Sequence, residues 1–476
     1  MKKLIYIFIL LISAFFIHTA CTHDIFDDID TDPNNPTEVE VDFILPIAQV
    51  RCVHDLLAGN GARYISSYIE HHCNVHLNAY WPDRGTSQFN LAYTVLKDTK
   101  EIIDIGSEEN KWIHVGIAQI IHALALSTLT DIFGDVPYSE ALQGSEFRNP
   151  VYDSQESIYN RTFQILDEAI ANLAKQAINT PGQTDMLLNG NVEMWTKVAW
   201  GLKARLANRL SNIDPDGSAT NALNYLQNSF SSPDEILKFD KYAAGGSSYT
   251  NMFSYQEQIE KCFATSLTML NVLNSFNDPG YVDPRAEKWF VKINGEIIGA
   301  PNGQNIPDVA HVNYSPISTV NVLYPSAPVI VLTYDELKFI EAEANMRLGN
   351  LPEANIAYKA AVEATLTRQG LTPEEIISYT SQGNVYTDDE SLTLDMIIRQ
   401  KWLSFFISQP LEAYNDYRRT GIPVLHNTVE NLGFQTVDGI PKRMPYPVEE
   451  IARNTNAPTD INNVTIYSRK VWWAKE

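Results

Sequence analysis

Residues Thr333 to Ala364 read TYDELKFIEAEANMRLGNLPEANIAYKAAVEA, and the pattern of this stretch decides the architecture. Thr333 with Glu336 three positions on has the form of a capping box, opening a helix through Leu337, Ile340, Ala344 and Leu348. Gly349 closes that helix, and Pro352 suits the first turn of the next, in which Ala354, Tyr358 and Ala361 share a face. Small alanines and a tight Gly-Asn turn let two antiparallel helices approach closely, as in tetratricopeptide units. An ordinary αα-hairpin fits the same residues.

The helical period recurs on both sides of this hairpin. Ile113, Ile117, Ile120, Ile121 and Leu124 lie three and four apart, and the run from Asp131 to Pro137 stops that helix with Gly and Pro. Asp153 with Glu156 reads as a second capping box ahead of Ile158, Ile165, Leu166, Ala169, Ile170 and Leu173. Trp195, Val198, Ala199, Leu202 and Leu206 form another stripe, with Lys197, Lys203 and Arg205 elsewhere on the wheel. A further helix runs through Leu394, Ile397, Ile398, Trp402 and Phe405 and ends before Pro410. Between about residues 211 and 330 the period fades. Turn signals dominate there: Asp214-Pro215-Asp216-Gly217, Gly245-Gly246-Ser247-Ser248, Asn277-Asp278-Pro279-Gly280 and Ala300-Pro301-Asn302-Gly303. The expectation is a mostly α protein, with a helical scaffold over about 41–210 and 331–476 and a loop-rich, functional portion over about 211–330. The length of 476 residues would by itself allow about three domains, but the pattern reads as one, over 41–476.

The ends and the charge bound the function. Lys2 and Lys3 precede an apolar run from Leu4 to Ile17 and then His18-Thr19-Ala20-Cys21, which reads as a signal peptide over 1–20. The run falls short of the roughly 20 apolar residues needed to span a bilayer. A cysteine directly after Thr-Ala resembles a lipobox, with Cys21 as the lipid-bearing first residue, although His18 stands where an aliphatic residue is usual. Residues 21–40, rich in Asp, Asn and Pro, suit a solvated tether. Lys plus Arg is 35 against 58 Asp plus Glu, a net charge of −23, which becomes −25 when Lys2 and Lys3 leave with the leader. So acidic a chain is not a nucleic-acid binder. Cys52, Cys73 and Cys262 are an odd number without CxxC spacing, which indicates no disulfide framework.

Several segments, in order along nearly the whole chain, resemble the SusD-like (RagB/SusD) family of outer-membrane nutrient-uptake lipoproteins. They are Asp32-Pro33-Asn34-Asn35-Pro36-Thr37, Asp131 to Leu142, Pro150 to Glu156, Asp283-Pro284-Arg285, the Thr333 to Gly349 helix, Gln400-Lys401-Trp402, Tyr417 to Gly421 and Arg443 to Pro447. The resemblance implies a SusD-like fold with tetratricopeptide-like hairpins as scaffold. It also implies a surface-exposed lipoprotein, anchored in the outer membrane through Cys21, that delivers oligosaccharide or peptide to a SusC-like TonB-dependent barrel without cofactor or catalysis. The matching segments would then be scaffold, with Arg418 and Arg419 ion-paired near Glu412 and Asp416 rather than touching ligand.

Sugar rings need flat aromatic faces, with amide or guanidinium donors at the rim for hydroxyls. The stretch from Asn78 to Gln88 offers Tyr80, Trp81, Arg84 and Gln88 in a Pro/Gly loop, and the stretch from Ser248 to Gln256 offers Tyr249, Asn251, Phe253, Tyr255 and Gln256. Tyr80, Trp81, Arg84, Gln88, Tyr249 and Tyr255 are the candidate ligand-binding residues. Tyr314 and Tyr324 are weaker ones, while Trp112, Trp195 and Trp402 lie on helices and read as core. His72 and His76 have the i, i+4 spacing of a helical metal pair, but no HExxH and no third ligand accompany them, so no metal is expected. His114 and His122 read as core residues. No GxSxG, GxxxxGK[ST] or GxGxxG motif supports an esterase, NTPase or dinucleotide enzyme. Among 58 acidic residues, two carboxylates about 5 to 10 Å apart across a cleft would be a glycosidase. A secreted glycoside hydrolase on a helical scaffold is therefore the alternative, beside an oligopeptide-binding member of the same family and a pure scaffold.

Overall fold

The computed structural model describes residues 39–75, 86–144, 146–176, 179–242, 250–303, 313–425 and 439–474. Helix α1 (Val41–Val50) continues through a π-helical turn, Arg51–Leu57, to α2 (Asn60–Tyr68) and the short strand β1 (His72–Asn74). Then come α3 (Thr86–Glu108), α4 (Trp112–Phe133), β2 (Val136–Pro137), β3 (Tyr152–Asp153), α5 (Gln155–Leu173) and α6 (Val192–Arg209). Next are α7 (Pro215–Leu226), β4 (Ile236–Phe239), α8 (Met252–Glu260), β5 (Phe263–Thr265), α9 (Leu267–Asn274), α10 (Pro284–Trp289) and β6 (Val329–Thr333). The chain closes with α11 (Tyr334–Arg347), α12 (Leu351–Arg368), α13 (Pro373–Thr380), α14 (Leu394–Ser404), α15 (Pro410–Thr420) and α16 (Val448–Arg453). The strands pair only in twos, all antiparallel: β1 with β5, β2 with β3 and β4 with β6.

Neighbouring helices pack in sequence, α3 on α4, α4 on α5, α6 on α7 and α11 on α12. The α11–α12 pair is the hairpin expected from its sequence. Thr333 accepts a hydrogen bond from the Glu336 amide, Gly349 turns the chain at φ +77°, and Pro352 lies in the first turn of α12. Helix α4 is buried from Ile113 to Phe133, so its lack of a polar face is the mark of a core helix. It is long and apolar enough to cross a bilayer, yet the other helices enclose it entirely. Gly116 makes that enclosure possible, since a Cβ there would stand 2.6 Å from Leu173 Cγ on α5.

Charged side chains run through the helical core. Arg205 of α6 reaches Glu336 of α11 at 2.6 and 2.7 Å. Arg209, one turn on, binds both Asp131 of α4 and Glu412 of α15. Glu343, fully buried, takes Arg419 Nη2 at 2.8 Å, Arg347 Nε at 2.9 Å and Asn208 Nδ2 at 3.0 Å. Asp416 joins Lys401 at 2.8 Å and Arg419 at 2.9 Å. Trp473 Nε1, near the C-terminus, donates to Asp131 at 2.9 Å. Lys203 and Arg205, which the wheel sets off the apolar stripe, are themselves buried, with Lys203 paired to Asp167.

Two local expectations change. Asp153 does not cap α5: Ser154 does, and Asp153 instead accepts the amides of Tyr138 and Ser139, tying β3 to the segment after β2. Glu412 pairs with α6 rather than with Arg418, whose guanidinium binds the Asp131 carbonyl at 2.7 Å. The stretch 211–330 has more turn and coil than helix, but it also carries the short helices α7, α8, α9 and α10. Their N-caps Asp214, Asn251, Ser266 and Asp283 are the same residue types that signal turns, and the helices behind them are too short to show a period.

Removing one partner from a buried ion cluster leaves uncompensated charge, so Glu343→Ala is expected to lower unfolding free energy by about 3–5 kcal/mol in urea titration. Burial opposes ionisation of Glu343, but Arg419, Arg347 and Lys401 outweigh it and hold its pKa below the usual carboxylate value. Asp416 is lowered the same way, against burial, by Lys401 and Arg419. Their contribution is therefore complete above an unfolded pKa of about 4 and is lost as pH falls through the lower folded values. Melting temperature should drop steeply with acid below about pH 4, and less steeply in Glu343→Gln; a level profile to about pH 3 would contradict this.

Candidate ligand-binding site

The described residues around the candidate aromatics come from α2, β1, α8 and β5. Asn302 Nδ2 donates to the His72 carbonyl at 2.8 Å and the Val75 amide to Cys262 at 2.9 Å, so the chain on either side of β1 and β5 is stitched together. Tyr80, Trp81 and Arg84 belong to 76–85 and Tyr249 to 243–249, both outside the described residues. His54 marks the end of the second segment. Its Nε2 lies 3.0 Å from the Thr250 carbonyl and its Nδ1 2.8 Å from Asp55, so both ring nitrogens face acceptors. Burial disfavours the imidazolium, but these two oxygens prevail and raise the pKa above the ordinary imidazole value.

Tyr255 lies on a helix, not in a loop. Asn251 caps α8 by accepting the Phe253 and Ser254 amides, and Lys261 ends it in the left-handed region at φ +48°. Tyr255 is 49% exposed and Ile259, one turn on, 61%, which gives an apolar stripe open to solvent. Gln88 is the opposite case. Helix α3 begins at Thr86, so Gln88 falls in a first turn that packs over Gly61, where a Cβ would be 2.1 Å from its amide nitrogen. At 1% exposure it supports the α2–α3 contact rather than a rim.

Arg63, on α2, is the residue the sequence reading passed over. It is 8% exposed, its guanidinium lies 4.9 Å from the Tyr64 ring centroid, and its Nη2 donates to Tyr64 Oη at 3.3 Å. Glu260, at the end of α8, comes only to 3.6 Å of Nη1. Among the described residues Nε and Nη1 find no hydrogen-bond acceptor. A charged helical residue normally reads as solvated, and only its place between Ala62 and Tyr64 on an otherwise buried helix hints at this one.

The helical spacing read for His72 and His76 does not hold at His72. His72 is in β1 rather than on a helix, packed edge-on to Phe263 at 4.5 Å, and burial pushes its pKa down to about 3; His76 lies outside the described residues. Among the described residues no group of three His, Cys, Asp or Glu is placed to hold a metal ion. His114 and His122 are both buried in the core: His114 meets Asp42 through Nε2 at 3.0 Å, while His122 has both ring nitrogens engaged, with Thr99 at 2.8 Å and Tyr138 at 3.0 Å. Trp195 and Trp402 are core, whereas Trp112 is only partly buried, with Lys175 Nζ 3.5 Å from its ring centroid. A groove of about 520 Å³ between α3, α4 and α5 has its cations already paired, Lys100 with Asp104 and Arg161 with Glu168. It makes less demand on a ligand than Arg63 does.

A family model for SusD-like proteins, described as starch-binding and associating with the outer membrane, matches residues 33–447. No curated protein matches the chain. A SusD/RagB family protein of Bacteroides thetaiotaomicron is 27% identical, covering 92% of this chain and 99% of its own at a TM-score of 0.73. A chitin-binding protein aligns at 23% identity over 92% of this chain and 100% of its own, TM-score 0.76. A chitin-binding SusD homologue of Flavobacterium johnsoniae aligns at 22% over 91% and 98%, TM-score 0.73. At these identities the last two speak to the fold.

The contrast between Tyr255 and Gln88 is measurable by thermal denaturation. Tyr255→Ala should stay within about 0.5 kcal/mol of the parent, as exposed positions do, and Gln88→Ala should cost about 1–2 kcal/mol for its buried amide. Equal effects would mean that the two environments are misassigned.

Proposed function

The chain belongs to the SusD-like family, and on that premise we propose that it is a surface nutrient-binding lipoprotein that captures oligosaccharide and delivers it to a SusC-like TonB-dependent barrel. It holds its ligand without altering it. The family's description as starch-binding and outer-membrane associating supports this reading, as do the leader, the lipobox-like Cys21 and the tether to residue 40. Two of the structures it resembles are named for binding chitin, which favours a polysaccharide over a peptide.

Arg63 carries the argument. Among the described residues two donors of this nearly buried guanidinium have no acceptor, which is costly until one arrives, and sugar hydroxyls supply acceptors. Tyr64 and Tyr255 provide aromatic surface on the flanking helices, and Glu260 partly balances the charge, which suits a neutral ligand. Tyr80, Trp81, Arg84 and Tyr249 would complete the site from the adjoining segments.

A panel of starch, chitin oligosaccharides and peptides, read by affinity electrophoresis and calorimetry, tests the proposal. A saccharide should bind without release of reducing ends. Arg63→Gln should weaken it about tenfold, the equivalent of about 1.4 kcal/mol, and Tyr255→Ala or Trp81→Ala about two- to tenfold, with melting unchanged for Tyr255→Ala. Turnover of the polysaccharide would replace the carrier with a hydrolase, and a peptide-only response would change the ligand class.

A further inference from the structure

Helix α1 has no solvated polar face. Asp42 and Gln49 are its polar side chains, and both are engaged with the protein. Asp42 Oδ1 meets His114 Nε2 at 3.0 Å and accepts from Thr184 Oγ1 at 3.1 Å. Gln49 donates to Asp185 at 2.7 Å and accepts the Met186 amide at 2.8 Å. Val41, Ile44, Leu45 and Ala48 are buried in the core. The opposite side is apolar as well: Phe43, Pro46, Ile47 and Val50 recur at i, i+3, i+4 and i+7, the spacing of a stripe made for burial. Yet Phe43 is 68% and Ile47 48% exposed, and Pro46 and Val50 are partly open.

A helix that is apolar all round belongs inside a protein. Helix α4 is of this kind, and its neighbours enclose it. Helix α1 is of the same kind with one side left in water, which marks a surface that a partner covers.

Chain length and charge narrow that partner. Residues 21–40 are all that separates α1 from Cys21. Even fully extended, 20 residues reach roughly 70 Å, so on the lipoprotein reading α1 stays beside the bilayer. Residues 22–40 hold seven Asp and Glu and no Lys or Arg. Helices that lie on lipid carry Lys or Arg beside their apolar face. Helix α1 carries none, and Arg51 and Lys111 next to it are held by Asp98 at 2.6 Å and Glu109 at 2.8 Å. A lipid surface is therefore a poor fit. A second copy is another, since it would bring the same acidic tether against this one. A protein set in the membrane fits, with an apolar groove for the stripe and Lys or Arg along the approach of the tether.

We propose that the Phe43 and Ile47 face of α1 is where the chain docks on the TonB-dependent barrel, in an apolar groove of the barrel rimmed by Lys and Arg. This rests on the nutrient-carrier reading, which names the barrel, and adds which surface of this chain meets it.

The full lipidated chain in the outer membrane of its own bacterium, carrying p-benzoylphenylalanine in place of Phe43, tests it. Irradiation should join the chain to the barrel, with the adduct identified by mass spectrometry. Phe43→Ser combined with Ile47→Ser should lower the amount of barrel that co-purifies at least tenfold. The same pair should leave the melting temperature and the oligosaccharide affinity of the purified chain unchanged, because both side chains stand in water. Raising salt from about 0.1 to 0.5 M should weaken the parent complex several-fold, as screening of the acidic tether requires. An adduct with lipid or with a second copy, no adduct, co-purification that survives the double substitution, or a complex indifferent to salt would each overturn the proposal. Where the parent chain still brings down the barrel in those cases, the carrier reading stands and the docking face lies elsewhere. A parent that brings down no barrel defeats the delivery step of that reading itself.

Discussion

Asp131, Glu336, Glu343, Glu412 and Asp416 are carboxylates withdrawn from bulk water into the packing of α4, α6, α11, α14 and α15, and each has to meet a cation there. The effective penalty for an unpaired buried ion is several kcal/mol, larger than the whole contribution of most single contacts. Each helix must therefore arrive in one rotation and one register. Arg209 can touch Asp131 and Glu412 together only if α4, α6 and α15 meet at that point. Such a cluster adds little net stability over apolar packing of the same volume. What it supplies here is selection among packings: helices whose apolar stripes could slide by a turn are held where the charges match.

The same cluster explains what could be read from the sequence and what could not. Local rules suffice for the α11–α12 hairpin, because Thr333, Gly349 and Pro352 act within a few residues of themselves. They also suffice for α4, whose apolar run outlasts any surface helix. Lys203 and Arg205 are misjudged by the same rules, since their partners Asp167 and Glu336 lie 36 and 131 residues away. The burial of Gln88, named from the sequence as a rim candidate, escapes them for a similar reason: Gly61, which admits its side chain, is on another helix. In the 211–330 stretch the cap residues are visible, but the short helices following them leave no period to distinguish a cap from a turn.

Charge then narrows the ligand. With 58 acidic residues against 35 basic ones, the protein's own field repels polyanions before contact. Nor would Arg63 reverse that field locally, for Glu260 lies 3.6 Å from it. A uronic or sulfated glycan would have to bring negative charge to a site whose cation is already shared. A neutral glycan meets no such barrier, and its hydroxyls accept as well as donate, which suits a guanidinium donor.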